Sequence, residues 1–195
     1  MIIRKLFCSA VVTLLCQDVC WSEDAMSVVA DVCQDDAQVR VSCKLDHGSW
    51  RIGEKITATL SIENKGEAGV RVFDPLGRGR GKVGGMEVVQ LELLDQNRQR
   101  IGNLFATEGG SAIPPSDGFW ILLPKYGICR SQIRCYGAGY VPRTRFSKGR
   151  ELPPGNYFLR LVVMKKFLLS NYENDRGNND RLAESKIMPI KLTAQ

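Results

Sequence analysis

The stretch KITATLSIEN, residues 55–64, puts Ile56, Ala58, Leu60 and Ile62 at every second position, with Thr57, Thr59, Ser61 and Glu63 between them. Successive side chains of a strand point to opposite faces, so this alternation predicts a strand with one face buried. The pattern recurs along the chain. VRVSCKL sets Val39, Val41, Cys43 and Leu45 on one side, VRVF sets Val70 with Val72, and MEVVQLELL sets Val89, Leu91 and Leu93 against Val88, Gln90 and Glu92. In YGICRSQIRCYG, Ile133 shares its face with Cys129, Ser131 and Cys135. FWILL, NYFLRLVVMKKFLL and KIMPIKLT complete eight or nine strands, separated by polar and glycine-rich turns such as NKGEAG and DQNRQR. Pro189 marks the last as an edge strand, because proline brings no N–H to a ladder. Residues 26–34 leave room for a short helix. Many short strands with close turns predict an all-β, antiparallel β-sandwich, with a barrel as the alternative closure.

The N-terminus has a different pattern. MIIRK carries Arg4 and Lys5, and LFCSAVVTLLC follows without a charge, as in a secretory signal peptide. The run is shorter than the roughly 20 residues a spanning helix needs, so no stable membrane span is expected. Cleavage is placed after Ser22, with Ala25 as second choice. Leu15 before Cys16 and Val19 before Cys20 argue against lipidation. The expected organisation is a signal peptide over 1–22, an acidic leading segment over 23–36 and one sandwich domain over 37–195, in an extracytoplasmic location. Removing the leader takes away Cys8, Cys16 and Cys20 of seven cysteines and leaves Cys33, Cys43, Cys129 and Cys135.

An even set in an oxidising compartment predicts disulfides. Cys129 and Cys135 are six steps apart, about 20 Å along a straight strand, beyond the 4.4–6.8 Å that a disulfide allows between Cα atoms. Cys43 with Cys129 and Cys33 with Cys135 is the favoured pairing, and local pairing is the rival. Close C-x₂₋₄-C pairs are absent, so no zinc site is expected.

Charge points to a class of partner. Residues 23–36 hold five acids and no base, whereas 37–195 hold 25 Lys and Arg against 15 Asp and Glu. The basic residues concentrate in two loops: Arg78, Arg80 and Lys82 in DPLGRGRGKVGG, and Arg143, Arg145, Lys148 and Arg150 in RTRFSKGR. These are the candidate binding residues, for a protein or an anionic cell-envelope polymer. Aromatic interleaving is sparse and a leader is present, which argues against nucleic acid. The first loop fails as a phosphate cradle, since Leu76 stands where the P-loop needs glycine and Val83 follows Gly81-Lys82.

The remaining residues suggest little catalysis. His47 is the single histidine, Asp46 beside it is poorly placed to orient its ring, and no G-x-S-x-G stretch occurs. NYENDRGNND lacks EF-hand spacing. Trp50, Trp120, Tyr126, Tyr136 and Tyr140 are candidates for a sugar platform, with Trp120 read as core. No catalytic residue, metal or cofactor is expected. A hydrolase with a carboxylate pair assembled only in space is the enzymatic alternative.

The ordered set GEKITATLSIENKGEAGVRV, VQLELLDQNRQRIGN, ILLPKYGICRSQIRC and RELPPGNYFLRLVV resembles bacterial extracytoplasmic immunoglobulin-like modules. In motif order it is similar to the BsuPI-type proteinase inhibitor family. The matching residues are Glu63-Asn64, Asp95-Gln96-Asn97, Leu122-Leu123-Pro124 and Pro154-Gly155-Asn156-Tyr157, with Lys125-Tyr126 where the turn glycine is usual. The resemblance covers roughly residues 51–165 and implies a non-catalytic binding module, with proteinase inhibition as an alternative role.

Overall fold

The computed structural model describes residues 25–34, 37–74, 88–105, 120–141, 149–170 and 180–194. The strands, in chain order, are β1 (Met26–Gln34), β2 (Ala37–Leu45), β3 (Ser49–Arg51), β4 (Thr57–Asn64) and β5 (Val70–Phe73). They continue with β6 (Val89–Leu94), β7 (Arg100–Asn103), β8 (Trp120–Leu123), β9 (Ile128–Arg134) and β10 (Tyr140–Val141). The last are β11 (Arg150–Glu151), β12 (Gly155–Met164), β13 (Arg181–Glu184) and β14 (Met188–Thr193), with a 3₁₀ turn at Lys165–Phe167 between β12 and β13.

Two sheets face each other. One has the order β1-β2-β4-β9; the other has the order β3-β14-β12-β6-β7, with β13 also paired to β12. All pairings are antiparallel except β14 with β3. The ribbons β5–β8 and β10–β11 complete the architecture. The alternation read from sequence sets the core: Val39, Val41, Cys43 and Leu45 meet Ala58, Leu60 and Ile62 on one wall, and Leu91, Leu93, Leu159, Leu161 and Ile190 form the other. Leu60 and Leu161 are fully enclosed, so truncation of either to alanine removes about 2–5 kcal/mol.

The structure corrects three expectations. Residues 26–34 form a strand and no helix: Val28, Ala30 and Val32 are buried in period two, while Val29, Asp31 and Cys33 face out. β1 pairs with β2 along its whole length, Met26 with Leu45 through Gln34 with Ala37, and packs across onto β12 and β13. Much of the acidic segment is therefore sheet, and the sandwich begins before residue 37. Asp31 reaches Arg40 on β2 at 2.7 Å. The strand holding Pro189 lies between β12 and β3, yet β3 pairs only with Lys191–Thr193. Pro189 therefore sits where β12 alone is the partner, which is how a residue without an N–H is accommodated.

The third correction concerns the cysteines. Cys43 stands opposite Leu60, and Cys129 opposite Ile62, so β4 runs between β2 and β9. Two strand spacings, about 9.6 Å, already exceed disulfide reach. Cys33 faces Gln38 near one end of β2, whereas Cys135 follows Arg134, whose partner Thr57 lies at the other end. The rival pairs span about five and six residues along a strand, which is also too far. All four are thiols.

Candidate binding surfaces

Of the seven predicted cations, Arg78, Arg80, Lys82, Arg143, Arg145 and Lys148 lie outside the described residues. Arg150 is exposed on β11, opposite Val141 of β10. The roots of the two loops are described. The chain from residues 75–87 enters at Val88, whose carbonyl accepts from the Met164 N–H at 2.9 Å, at the far end of β12. The hairpin β10–β11 closes next to the start of β12, where the Leu152 N–H donates to the Gly139 carbonyl at 2.7 Å. Nine steps of β12 separate these ends, about 30 Å. The roots therefore stand at opposite ends of one strand.

A second cationic feature was not singled out from sequence. Glu92 on β6 is 1 % exposed and forms ion pairs with three arginines on three other strands of the same sheet. Arg160 of β12 reaches it at 2.7 Å, Arg181 of β13 at 3.0 Å and Arg100 of β7 at 3.2 Å. Glu184 binds Arg160 at 2.8 Å and Arg181 at 2.7 Å. Arg100 also donates to Gln90 at 3.1 Å. Three cations meet two carboxylates, leaving one positive charge on the outer face of the larger sheet. The hydrogen bond to Glu184, then the charges of Glu92 and Glu184, hold Arg181 above the ordinary guanidinium range against the opposing effect of burial. On the same side of the strands, Leu94 and Val162 are fully buried outside the central cluster. Alternation puts Glu92 with Gln90 on the polar side of β6, so its enclosure beneath arginines from other strands has no local signal in the sequence; once enclosed, the carboxylate requires those cations.

The residues that carry the family resemblance are turn latches. Asn64, 1 % exposed, donates through Nδ2 to the carbonyls of Ala68, Leu123 and Pro124, and its Oδ1 accepts from the Gly66 N–H. It fastens the β4–β5 connection to the turn before β9. Asp95 accepts from the backbone N–H groups of Asn97 and Gln99 at the hairpin tip. The Tyr157 hydroxyl donates to the Pro153 carbonyl at 2.9 Å.

In Pro124–Gly127, the Gly127 N–H donates back to the Pro124 carbonyl, and Tyr126 has φ of 56°, a left-handed position that favours glycine. A Cβ on Gly127 would lie 2.6 Å from Pro124 Cδ, so glycine is required there for closeness. Lys125 and the Tyr126 hydroxyl both donate to Glu67, and they hold its carboxyl below the usual range.

His47 lies at the other end of the smaller sheet. Its Nε2 is 3.5 Å from Glu54 Oε1 and 4.0 Å from Asp46 Oδ2, with the Trp50 ring 5.1 Å away. Asp46 is occupied as a latch, accepting from the His47 N–H, the Trp50 indole and the Thr57 N–H. A cleft of about 200 Å³ nearby is lined by Lys55, Ile56, Thr57, Gln132, Ile133 and Cys135. Burial pushes the Cys135 thiol up to about 12 and Cys43 higher still, so neither supplies a nucleophile. The aromatic platform does not assemble: Trp50 is core, Trp120 packs edge-on against Phe73, and Tyr126 lies at the opposite end of β9 from the contacting Tyr136 and Tyr140. No group of three or more metal-ligating side chains occurs among the described residues. No helix among them is long and apolar enough to cross a membrane. NYENDRGNND falls mostly outside them.

No family model and no curated protein matches the chain. Among solved structures, the yjhA protein from Bacillus subtilis is similar over 85% of this chain and 96% of its own, at 13% identity and a TM-score of 0.33.

Proposed function

We infer that the protein is an extracytoplasmic, non-catalytic interaction module that holds an acidic protein surface or an anionic cell-envelope polymer through basic loops. The observation that supports this reading is the hairpin β10–β11. Tyr140 with Glu151 and Val141 with Arg150 form a paired stem, braced where Val141 Cγ1 lies 3.0 Å from the Cβ direction of Gly102 on β7. That stem carries a loop whose sequence contains Arg143, Arg145 and Lys148. A fixed base with clustered like charge raises the local concentration of an anionic partner and speeds its arrival. The leader pattern supports export.

Immobilised dextran sulfate serves as the polyanion probe. Retention falls as salt rises, and Arg78, Arg80, Arg143 and Arg145 replaced together by alanine lower it at equal salt. Equal retention of the substituted and natural proteins removes the loops from the account.

A further inference from the structure

The geometry points to a peripheral lipid-docking corner at the turn joining β8 to β9, with an anionic bilayer surface as its occupant. It goes beyond the basic-loop reading and uses none of those residues. Leu122, Tyr126 and Ile128 are 63%, 55% and 49% exposed; Tyr126 sits within a single four-residue turn that Leu122 and Ile128 flank. Tyr126 holds a backbone position that a glycine occupies without strain, so the chain places an aromatic ring at the tip at a conformational cost. The ring is held by the Glu67 hydrogen bond, and Lys125 Nζ lies 4.9 Å from its centroid. Asn64 fixes the turn from beneath.

Cations flank the apolar tip. Arg71 is the cross-strand partner of Leu122, so both stand on one face of the β5–β8 ribbon. Arg130 lies two positions beyond Ile128 on the same face of β9. Both arginines are exposed, and among the described residues neither side chain forms a hydrogen bond or ion pair. A tyrosine between aliphatic tips suits the headgroup boundary, and unneutralised guanidiniums beside it suit lipid phosphates. A second copy of the chain fits poorly, because a two-fold contact would set these cations against their own images.

The test uses the full chain with vesicles of phosphatidylcholine alone and of phosphatidylcholine with phosphatidylglycerol at roughly three to one. In the Tyr126→Trp variant, emission shifts to the blue and is quenched by brominated lipid on the anionic vesicles alone. Arg71→Gln and Arg130→Gln each lower partition about fivefold, as expected for about 1 kcal/mol per cation near such a surface. Tyr126→Gly, which relaxes the turn, weakens partition without lowering the melting temperature. The leader is the same in every variant, so differences report the turn. Absence of the spectral shift, or an equal shift on neutral vesicles, overturns the proposal. Partition that survives Tyr126→Gly and is lost on Arg143→Ala with Arg145→Ala overturns it too, while leaving the proposed function standing.

Discussion

Replacing Glu92 by glutamine keeps the side-chain volume and removes one negative charge from beneath three guanidiniums. The natural carboxylate is 1 % exposed and lies within 3.2 Å of nitrogens on Arg100, Arg160 and Arg181. In the variant, Arg160 and Arg181 keep Glu184 alone, Arg100 keeps its contact with Gln90, and Arg160 is left the least able to reach water. Breaking a buried ion cluster by removing one member costs about 3–5 kcal/mol, because the remaining charges keep their desolvation penalty and lose their compensation. Arg100 is half exposed and Arg181 partly so; both turn outward, which places the loss near about 3 kcal/mol. Urea unfolding reads it as a lower midpoint at constant slope. Arg100→Met, at the exposed rim, costs less than about 1 kcal/mol. Because Glu92 and Arg160 are enclosed, high salt leaves most of the Glu92→Gln loss in place. A loss below about 1 kcal/mol, or one that salt erases, contradicts the reading of Glu92 as the charge that holds four strands together.

Asn64→Ala strands a buried N–H and three carbonyls at one corner; the expected loss is about 1–3 kcal/mol in the same unfolding assay, with exchange of the Gly66 and Gly127 amides accelerated. Glu67 has its folded value depressed by Lys125 and then Tyr126, so its contact with them is complete above the ordinary carboxylate range and is lost as pH falls through the depressed value. A carboxyl carbon titration by NMR that follows an unperturbed glutamate would contradict this. The same contact raises the Tyr126 phenol, so its ultraviolet titration comes above 10 and returns to the ordinary value in Glu67→Gln.

Strands whose buried face alternates with a polar one were legible, and β2, β4 and β9 have the inward residues that period two assigns. β1 was obscured by its acids, because Asp31 reads as loop composition while its pairing with Arg40 appears only once β2 lies alongside. Strand order was not legible. The favoured disulfide pairing requires β2 and β9 to be neighbours, and local pattern has no information on which strand inserts between two others. The Arg–Glu cluster was hidden for the same reason: Arg100, Arg160 and Arg181 are 60 and 21 positions apart and become neighbours through the sheet. Turn chemistry was the exception, since Asn64, Asp95 and Tyr157 bond within a few residues of themselves and their motifs mark those bonds directly.

The strand order carries the fold and the placement of every surface described above, and cysteine chemistry tests it most directly. Folded protein purified without reductant is pulsed with iodoacetamide, then unfolded, labelled with a second reagent and mapped by peptide mass. The order β1-β2-β4-β9 predicts Cys33, exposed on β1, in the first label, Cys43 and Cys135 in the second, and no peptide in which two of Cys33, Cys43, Cys129 and Cys135 are linked. Recovery of a peptide joining Cys43 to Cys129, or Cys33 to Cys135, would require β2 or β1 to lie against β9 and would contradict the account.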